Sequence, residues 1–114
     1  MKYALLIYEK ADYRDTVSQE RMAEVLREHD VFWNKYGEEK FRGAAGLEGH
    51  KTATTLRRSG DDYIVHDGPY AETREILGGF YVVECEDLDE AMKIARDIPL
   101  EEDEAVEIRP VMSE

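Results

Sequence analysis

The sequence predicts an α+β domain, a ferredoxin-like antiparallel sheet with two helices on one face. Three observations lead there. Apolar patterns of period two and of period 3.6 follow one another in the order β, α, a β-rich middle, β, α, β. Each helical pattern carries its own start and stop signals. At least two of the strands are apolar on both sides, so both faces of the sheet need cover.

Residues 2–8 form the first strand, with Tyr3, Leu5 and Ile7 on one side and Ala4, Leu6 and Tyr8 on the other. From Ser18 to Tyr36, the residues Met22, Val25, Leu26, His29, Trp33 and Tyr36 keep the i, i+3, i+4, i+7 spacing of an amphipathic helix. Ser18 is its expected N-cap, Val17 and Met22 are placed as a hydrophobic staple, and Gly37 ends it. Residues 43–47 and 52–58 are expected strands. The turn chemistry of Arg58-Ser59-Gly60-Asp61-Asp62 then returns the chain along residues 63–66 as the second arm of a hairpin.

Residues 79–85 alternate Phe80 and Val82 against Tyr81 and Val83, apolar on both faces. Asp87-Leu88-Asp89-Glu90 has the D-x-x-E form of a helix start, Leu88, Ala91, Met92 and Ala95 form that helix's stripe, and Pro99 marks its end. Residues 105–111 are the last strand. A sheet with helices on one side only and apolar residues on both leaves a patch of several hundred Å², which sheet-against-sheet homodimerisation would cover.

Composition narrows the function. The 114 residues make one domain, residues 1–114, and carry 15 basic and 27 acidic side chains for a net charge of −12. That charge repels phosphate backbones and anionic membranes, so no nucleic acid and no membrane is expected as a partner. The apolar run near the N-terminus is too short for a secretory h-region or a span. With Cys85 as its one cysteine, the chain forms no internal disulfide and suits a cytoplasmic location. No G-x-G-x-x-G, no P-loop and no metal-ligand spacing among His29, His50 and His66 is present, so no cofactor and no metal is expected. Cys85, between apolar residues, is expected to be buried.

The stretch VHDGPYAETREILGGFYVV interrupts the strand pattern at Asp67-Gly68-Pro69 and inserts Glu72, Thr73, Arg74 and Glu75 before apolar alternation resumes at Phe80. A plain turn needs no such charge. The run DGPYAETREILGGFYVVE, with TATTLR before it, LDEAMKIARDIP after it and VEIRPV at the end, resembles the YCII-related proteins of the DGPF type. The resemblance implies a dimeric α/β-barrel of ferredoxin-like protomers, with a pocket in each. Tyr70 stands where the motif usually has Phe, Arg74 where Lys is frequent and His66 where a small polar residue is common.

The wider group includes enzymes resembling muconolactone isomerases and a chloromuconolactone dehalogenase, and its members often set a helix-borne histidine near an aspartate. The matching residues here are His29, in LREHDVFW, and Asp67, the motif's first residue. Such a pair can act as general acid and base, the carboxylate fixing the imidazole tautomer. The alternatives are a satisfied core histidine and an Asp that caps a turn.

The 67–78 segment is expected to form a pocket wall. Arg74 would grip a substrate carboxylate with Glu72 or Glu75 orienting it, or make an ordinary surface ion pair; Tyr70 would offer a hydroxyl or pack; Trp33 would line the pocket or belong to the core. Two functions remain open at this level. One is a cofactor-independent lyase or isomerase acting on a small organic molecule. The other is a non-catalytic dimeric ligand-binding or regulator-accessory module.

Overall fold

The period-two runs and the two helical stripes become six strands and three helices in a computed structural model, counted among the described residues, 1–113. They are β1 (Lys2–Lys10), α1 (Tyr13–Thr16), α2 (Gln19–Tyr36), β2 (Phe41–Gly46), β3 (Thr54–Ser59), β4 (Asp62–Asp67), β5 (Glu75–Glu84), α3 (Leu88–Ala95) and β6 (Ala105–Pro110). Strands β2, β5, β1 and β6 lie side by side in that order, every pair antiparallel. The mixed α+β architecture is compatible with the ferredoxin-like expectation.

Alternation decides which residues face the helices. Tyr3 and Leu5 of β1 and Tyr81 and Val83 of β5 are buried with Phe32 of α2, Phe41 of β2, and Ala91, Ile94 and Ala95 of α3. Phe32 meets Tyr36, Phe41 and Tyr81 edge-on, with ring centroids 5.0–5.7 Å apart, an arrangement aromatic quadrupoles favour.

Helix starts follow the sequence signals. The Ser18 hydroxyl accepts the Arg21 N–H at 3.0 Å, and the Asp87 carboxylate accepts the Glu90 N–H at 2.9 Å. Gly37 closes α2 at φ +80°, which a Cβ would penalise.

Three features differ from the expectation. A short extra helix, α1, follows β1; its side chains include Tyr13 and Arg14, which the apolar-stripe criterion passes over. Strand β5 starts at Glu75, earlier than the apolar run, because Lys10 and Glu75 still pair across the ladder. The expected hairpin forms, but β3 and β4 make a two-stranded sheet of their own. Nearly all its side chains are exposed, Thr55 being partly buried. No helix among the described residues is long and apolar enough to cross a membrane.

Candidate active site

Between α2 and the strand ends of the sheet lies a cavity of about 210 Å³. Its walls are Met22, Val25 and Leu26 of α2, Ile7 of β1, and the Gly78-Gly79 stretch of β5. Two polar groups of residues face it. One is His29 with Tyr81, the other Glu9, Arg14, Tyr13 and Glu104.

Helical spacing places His29 one turn after Val25 and one turn before Trp33, on the inward stripe. Its Nδ1 lies 2.7 Å from the Tyr81 hydroxyl, and the two rings stack at 5.9 Å. Burial pushes the His29 pKa below its usual value, against the pull of the nearby Glu28 and Asp30 carboxylates, so the imidazole is neutral at pH 7. Burial, with a smaller push from Asp30, takes the Tyr81 phenol up to about 12 and keeps its proton on.

Glu9 continues the inward face of β1 after Tyr3, Leu5 and Ile7, and is 7% exposed. A buried carboxylate needs a partner. Arg14 supplies it side-on, Nε to Oε2 at 2.8 Å and Nη2 to Oε1 at 3.0 Å, while Nη2 also donates to the Leu47 carbonyl at 3.0 Å.

The Gly78-Gly79 pair makes room for this. Ile7 pairs with Gly79 and Tyr8 with Leu77, so Gly78 is the extra residue of a β-bulge. A Cβ on Gly78 would collide with Glu9 Oε1, and one on Gly79 would meet the Ala45 carbonyl at 2.8 Å. Both glycines are therefore set by close approach.

Glu104 closes the polar end. Its Oε1 accepts the Glu101 N–H at 2.8 Å, yet burial, with the charges of Glu9 and Glu101 adding to it, holds its pKa above the ordinary value. Arg21 chelates Glu101 at 2.6 and 3.1 Å and keeps that carboxylate ionised, and Glu101 in turn accepts the Tyr13 hydroxyl.

A second, more open groove of about 760 Å³ lies beside the DGPY loop, with Pro69, Tyr70, Thr73 and Glu75 on one side and Tyr8 and Leu77 of the sheet on the other. His50 borders it. Its Nε2 lies 2.8 Å from the Ala11 carbonyl, which can only accept, so Nε2 carries the proton.

The residues singled out from the sequence are thus distributed over several places. His29 faces the inner cavity. Asp67 ends β4, is exposed, pairs in the ladder with Thr54, and is not among the residues lining either concavity. The structure does not bring it to His29, whose partner is Tyr81: β4 belongs to the separate hairpin and does not run beneath α2. Tyr70 and Glu75 line the outer groove, and the Arg57 guanidinium sits 4.6 Å over the Tyr70 ring.

Arg74 and Glu75 border a shallow cleft with Lys10, Asp12 and Asp103, and Glu72 is exposed. Arg74 forms no ion pair with Glu72 or Glu75 among the described residues. Trp33 stacks on Phe41 at 4.0 Å against the core rather than lining a concavity.

Glu9, Arg14, Tyr81 and Glu104 were not singled out. For Glu9 the signal was present, as the next inward position of a strand otherwise apolar on that side. For Arg14 and Glu104, which arrive from a single-turn helix and a loop, there was none.

Comparison with known proteins places these features in a family. The YCII-related domain matches residues 1–114. An uncharacterised protein of Rhizobium meliloti (strain 1021) is 41% identical over 99 residues, covering 86% of this chain and 80% of that protein.

Proposed function

The chain belongs to the YCII-related domain family, and from that premise we propose that it binds a compact organic molecule in the cavity beneath α2 and moves protons on it without a cofactor, as a lyase or isomerase does. The observation that carries this is the 2.7 Å contact between His29 Nδ1 and the Tyr81 hydroxyl at the wall of a cavity that is partly open to solvent.

A neutral imidazole and a neutral phenol so paired have two arrangements. If the phenol donates to Nδ1, Nε2–H is left as a donor and the phenol oxygen as an acceptor. If Nδ1–H donates to the phenol oxygen, Nε2 is left as a base and the phenol O–H as an acid. Either way the pair offers one donor and one acceptor, and a substrate that takes a proton from one and returns one to the other converts the first arrangement into the second. That is bifunctional proton transfer with no net charge created in the cavity. The burial that lowers the His29 pKa serves the base role, since the imidazole is unprotonated near neutrality.

The cavity's size limits the substrate. At about 210 Å³ it is smaller than the roughly 300–1,000 Å³ of ordinary ligand sites, so a single-ring or short-chain molecule fits. Arg14 is already engaged by Glu9 and Leu47, which argues against its service as a free anion clamp. Neither Trp33 nor Tyr70 fills the cavity, which favours the catalytic reading over a closed binding module.

The proposal includes a homodimer formed through the helix-free face of the sheet. Ala4, Leu6 and Tyr8 of β1 and Phe80 and Val82 of β5 share that face by alternation, and no helix covers it.

The test is proton exchange. Compact cyclic and enolisable carbonyl compounds incubated with the protein in deuterated water are expected to incorporate deuterium at carbon. His29→Gln and Tyr81→Phe should each reduce the rate by about 10²-fold or more. Equal rates in wild type and both variants would remove the assignment.

A further inference from the structure

The hairpin formed by β3 and β4 projects from the domain, and its ladder sorts its side chains into two faces. Thr54, Leu56 and Arg58 pair across it with Asp67, Val65 and Tyr63 and share one face; Thr55, Arg57 and Ser59 share the other with His66, Ile64 and Asp62. The second face is partly covered where Tyr70 stacks on Arg57, with Ile64 left 57% exposed. The first is bare. Leu56, Tyr63 and Val65 on it are 60%, 60% and 65% exposed. An uncovered strand pair carrying a contiguous apolar stripe is a surface that soluble monomers avoid.

The size of the chain points the same way. A folded monomer of 13.2 kDa should expose roughly 6,400 Å² by the usual mass scaling, whereas this chain exposes 8,381 Å². The excess, about 2,000 Å², is of the order that each partner buries in an obligate dimer. The radius of gyration, 15.8 Å, likewise exceeds the roughly 13 Å of a compact chain of this length.

Charge bears on the occupant as well. Arg58, on the bare face, bonds only the Gly60 carbonyl, and neither it nor Arg57 has a carboxylate partner among the described residues, in a chain where acids outnumber bases 27 to 15. The helix-free sheet face has an apolar centre of Leu6, Phe80 and Val82 with charges of both signs around it: Glu107 beside Leu6, Arg109 beside Ala4, and at the strand ends Lys2 and Glu84, the latter already paired with the N-terminal amine. The outer groove runs between the sheet and the hairpin's other face, since Tyr8 and Leu77 form one wall and Ala53, Thr55 and Tyr70, at the base of the hairpin, the other, and it leaves the Leu56–Tyr63–Val65 face turned outward.

We propose that the β3–β4 hairpin is an exchanged arm: in the homodimer its Leu56–Tyr63–Val65 face lies beside the sheet-against-sheet contact, over the Tyr8–Leu77 rim of a second copy's helix-free face, with Arg58 directed to Glu107 there. This rests on the sheet-face homodimer and adds to it a reciprocal embrace in which each arm covers its partner and closes the outer groove.

The experiment compares wild type, the arm variant Leu56→Glu/Val65→Glu and the sheet-face variant Val82→Glu by sedimentation, with circular dichroism as the folding check, and follows amide hydrogen exchange of residues 54–67 on wild-type dilution. The arm variant is expected to weaken the dimer by about 100-fold or more, Val82→Glu to do likewise, and the arm amides to lose protection as the wild type is diluted. If the arm variant dimerises as tightly as wild type while Val82→Glu is monomeric, the arm inference falls and the sheet-face dimer stands. A dimer intact in Val82→Glu overturns the docking surface. A monomeric wild type removes both. Should either variant fail to fold, the wild-type exchange decides: arm amides equally unprotected at all concentrations overturn the proposal.

Discussion

The inner cavity and the outer groove are both bordered by the stretch 69–81, its second half on the one and its first half on the other, and they treat polar residues in opposite ways. In the inner cavity, His29, Tyr81, Glu9 and Glu104 are wholly or partly buried; burial shifts the pKa values of His29, Tyr81 and Glu104, and Glu9 is held by its ion pair with Arg14. Beside the outer groove, the charged residues of the DGPY loop are exposed; only Glu75 of them lines it, and Arg74 and Glu72, outside it, form no ion pair with each other among the described residues. The difference teaches that a conspicuous motif and a chemically tuned site need not coincide. The motif's charged residues mark where the chain leaves and re-enters the sheet, and its Gly78-Gly79 end, reaching under α2, shapes the cavity.

The comparison predicts unequal costs. Arg14→Ala leaves Glu9 buried without a counter-charge and should destabilise the fold by about 3 kcal/mol, the lower end for a broken buried pair because Arg14 is partly exposed. Arg74→Ala should stay within about 0.5 kcal/mol. Chemical denaturation of both variants measures the contrast, and equal effects would dissolve it.

Gly78→Ala should cost about 1–3 kcal/mol through the collision of its Cβ with the Glu9 carboxylate. The double variant Gly78→Ala/Glu9→Gln should not relieve that collision, because the amide occupies the same space.

A smaller effect concerns pH. The folded-state pKa of His29 is depressed by burial below the unfolded value near 6.5, so below that pH the unfolded chain binds more protons than the folded one. The His29 contribution is therefore constant above about pH 6.5 and is lost as pH falls through the window down to the folded pKa. Stability measured from pH 7.5 to 5 should decline more steeply in wild type than in His29→Gln; parallel curves would mean the imidazole is not desolvated. Smallest of all, Asp67→Asn should change stability by no more than about 0.5 kcal/mol and leave the titration of His29 where it was.

Much of this was legible in the sequence, because periodicity reports burial. The caps at Ser18 and Asp87, the placing of His29 on the helix face turned to the sheet, the hairpin, the buried Cys85 and the order of the elements along the chain all follow from local patterns, whereas Leu26, Leu88 and Met92 of the expected stripes are exposed and Phe32 and Ile94 take buried places. What was not legible is long-range. Tyr81 reads as one more apolar position of a two-sided strand until α2 brings His29 over it, 52 residues away in sequence. Asp67 looked like the partner because a strand before a turn is easily imagined beneath the helix. Only the pairing of β4 with β3 alone, outside the main sheet, shows otherwise. Glu9 stood on the inward face all along, and the adjacent glycines Gly78 and Gly79 were a clue to a close approach whose other party the chain order conceals.

The three histidines give the most direct test of the central claim, since His29 faces the inner cavity, His50 borders the outer groove and His66 sits on the hairpin. Ring resonances of all three, followed by NMR while a library of compact cyclic and carbonyl fragments is added, report where small molecules bind. The account predicts that binders shift the His29 ring alone, and that Tyr81→Phe alters or abolishes the shift. Binders that move His50 or His66 and leave His29 unchanged would contradict it.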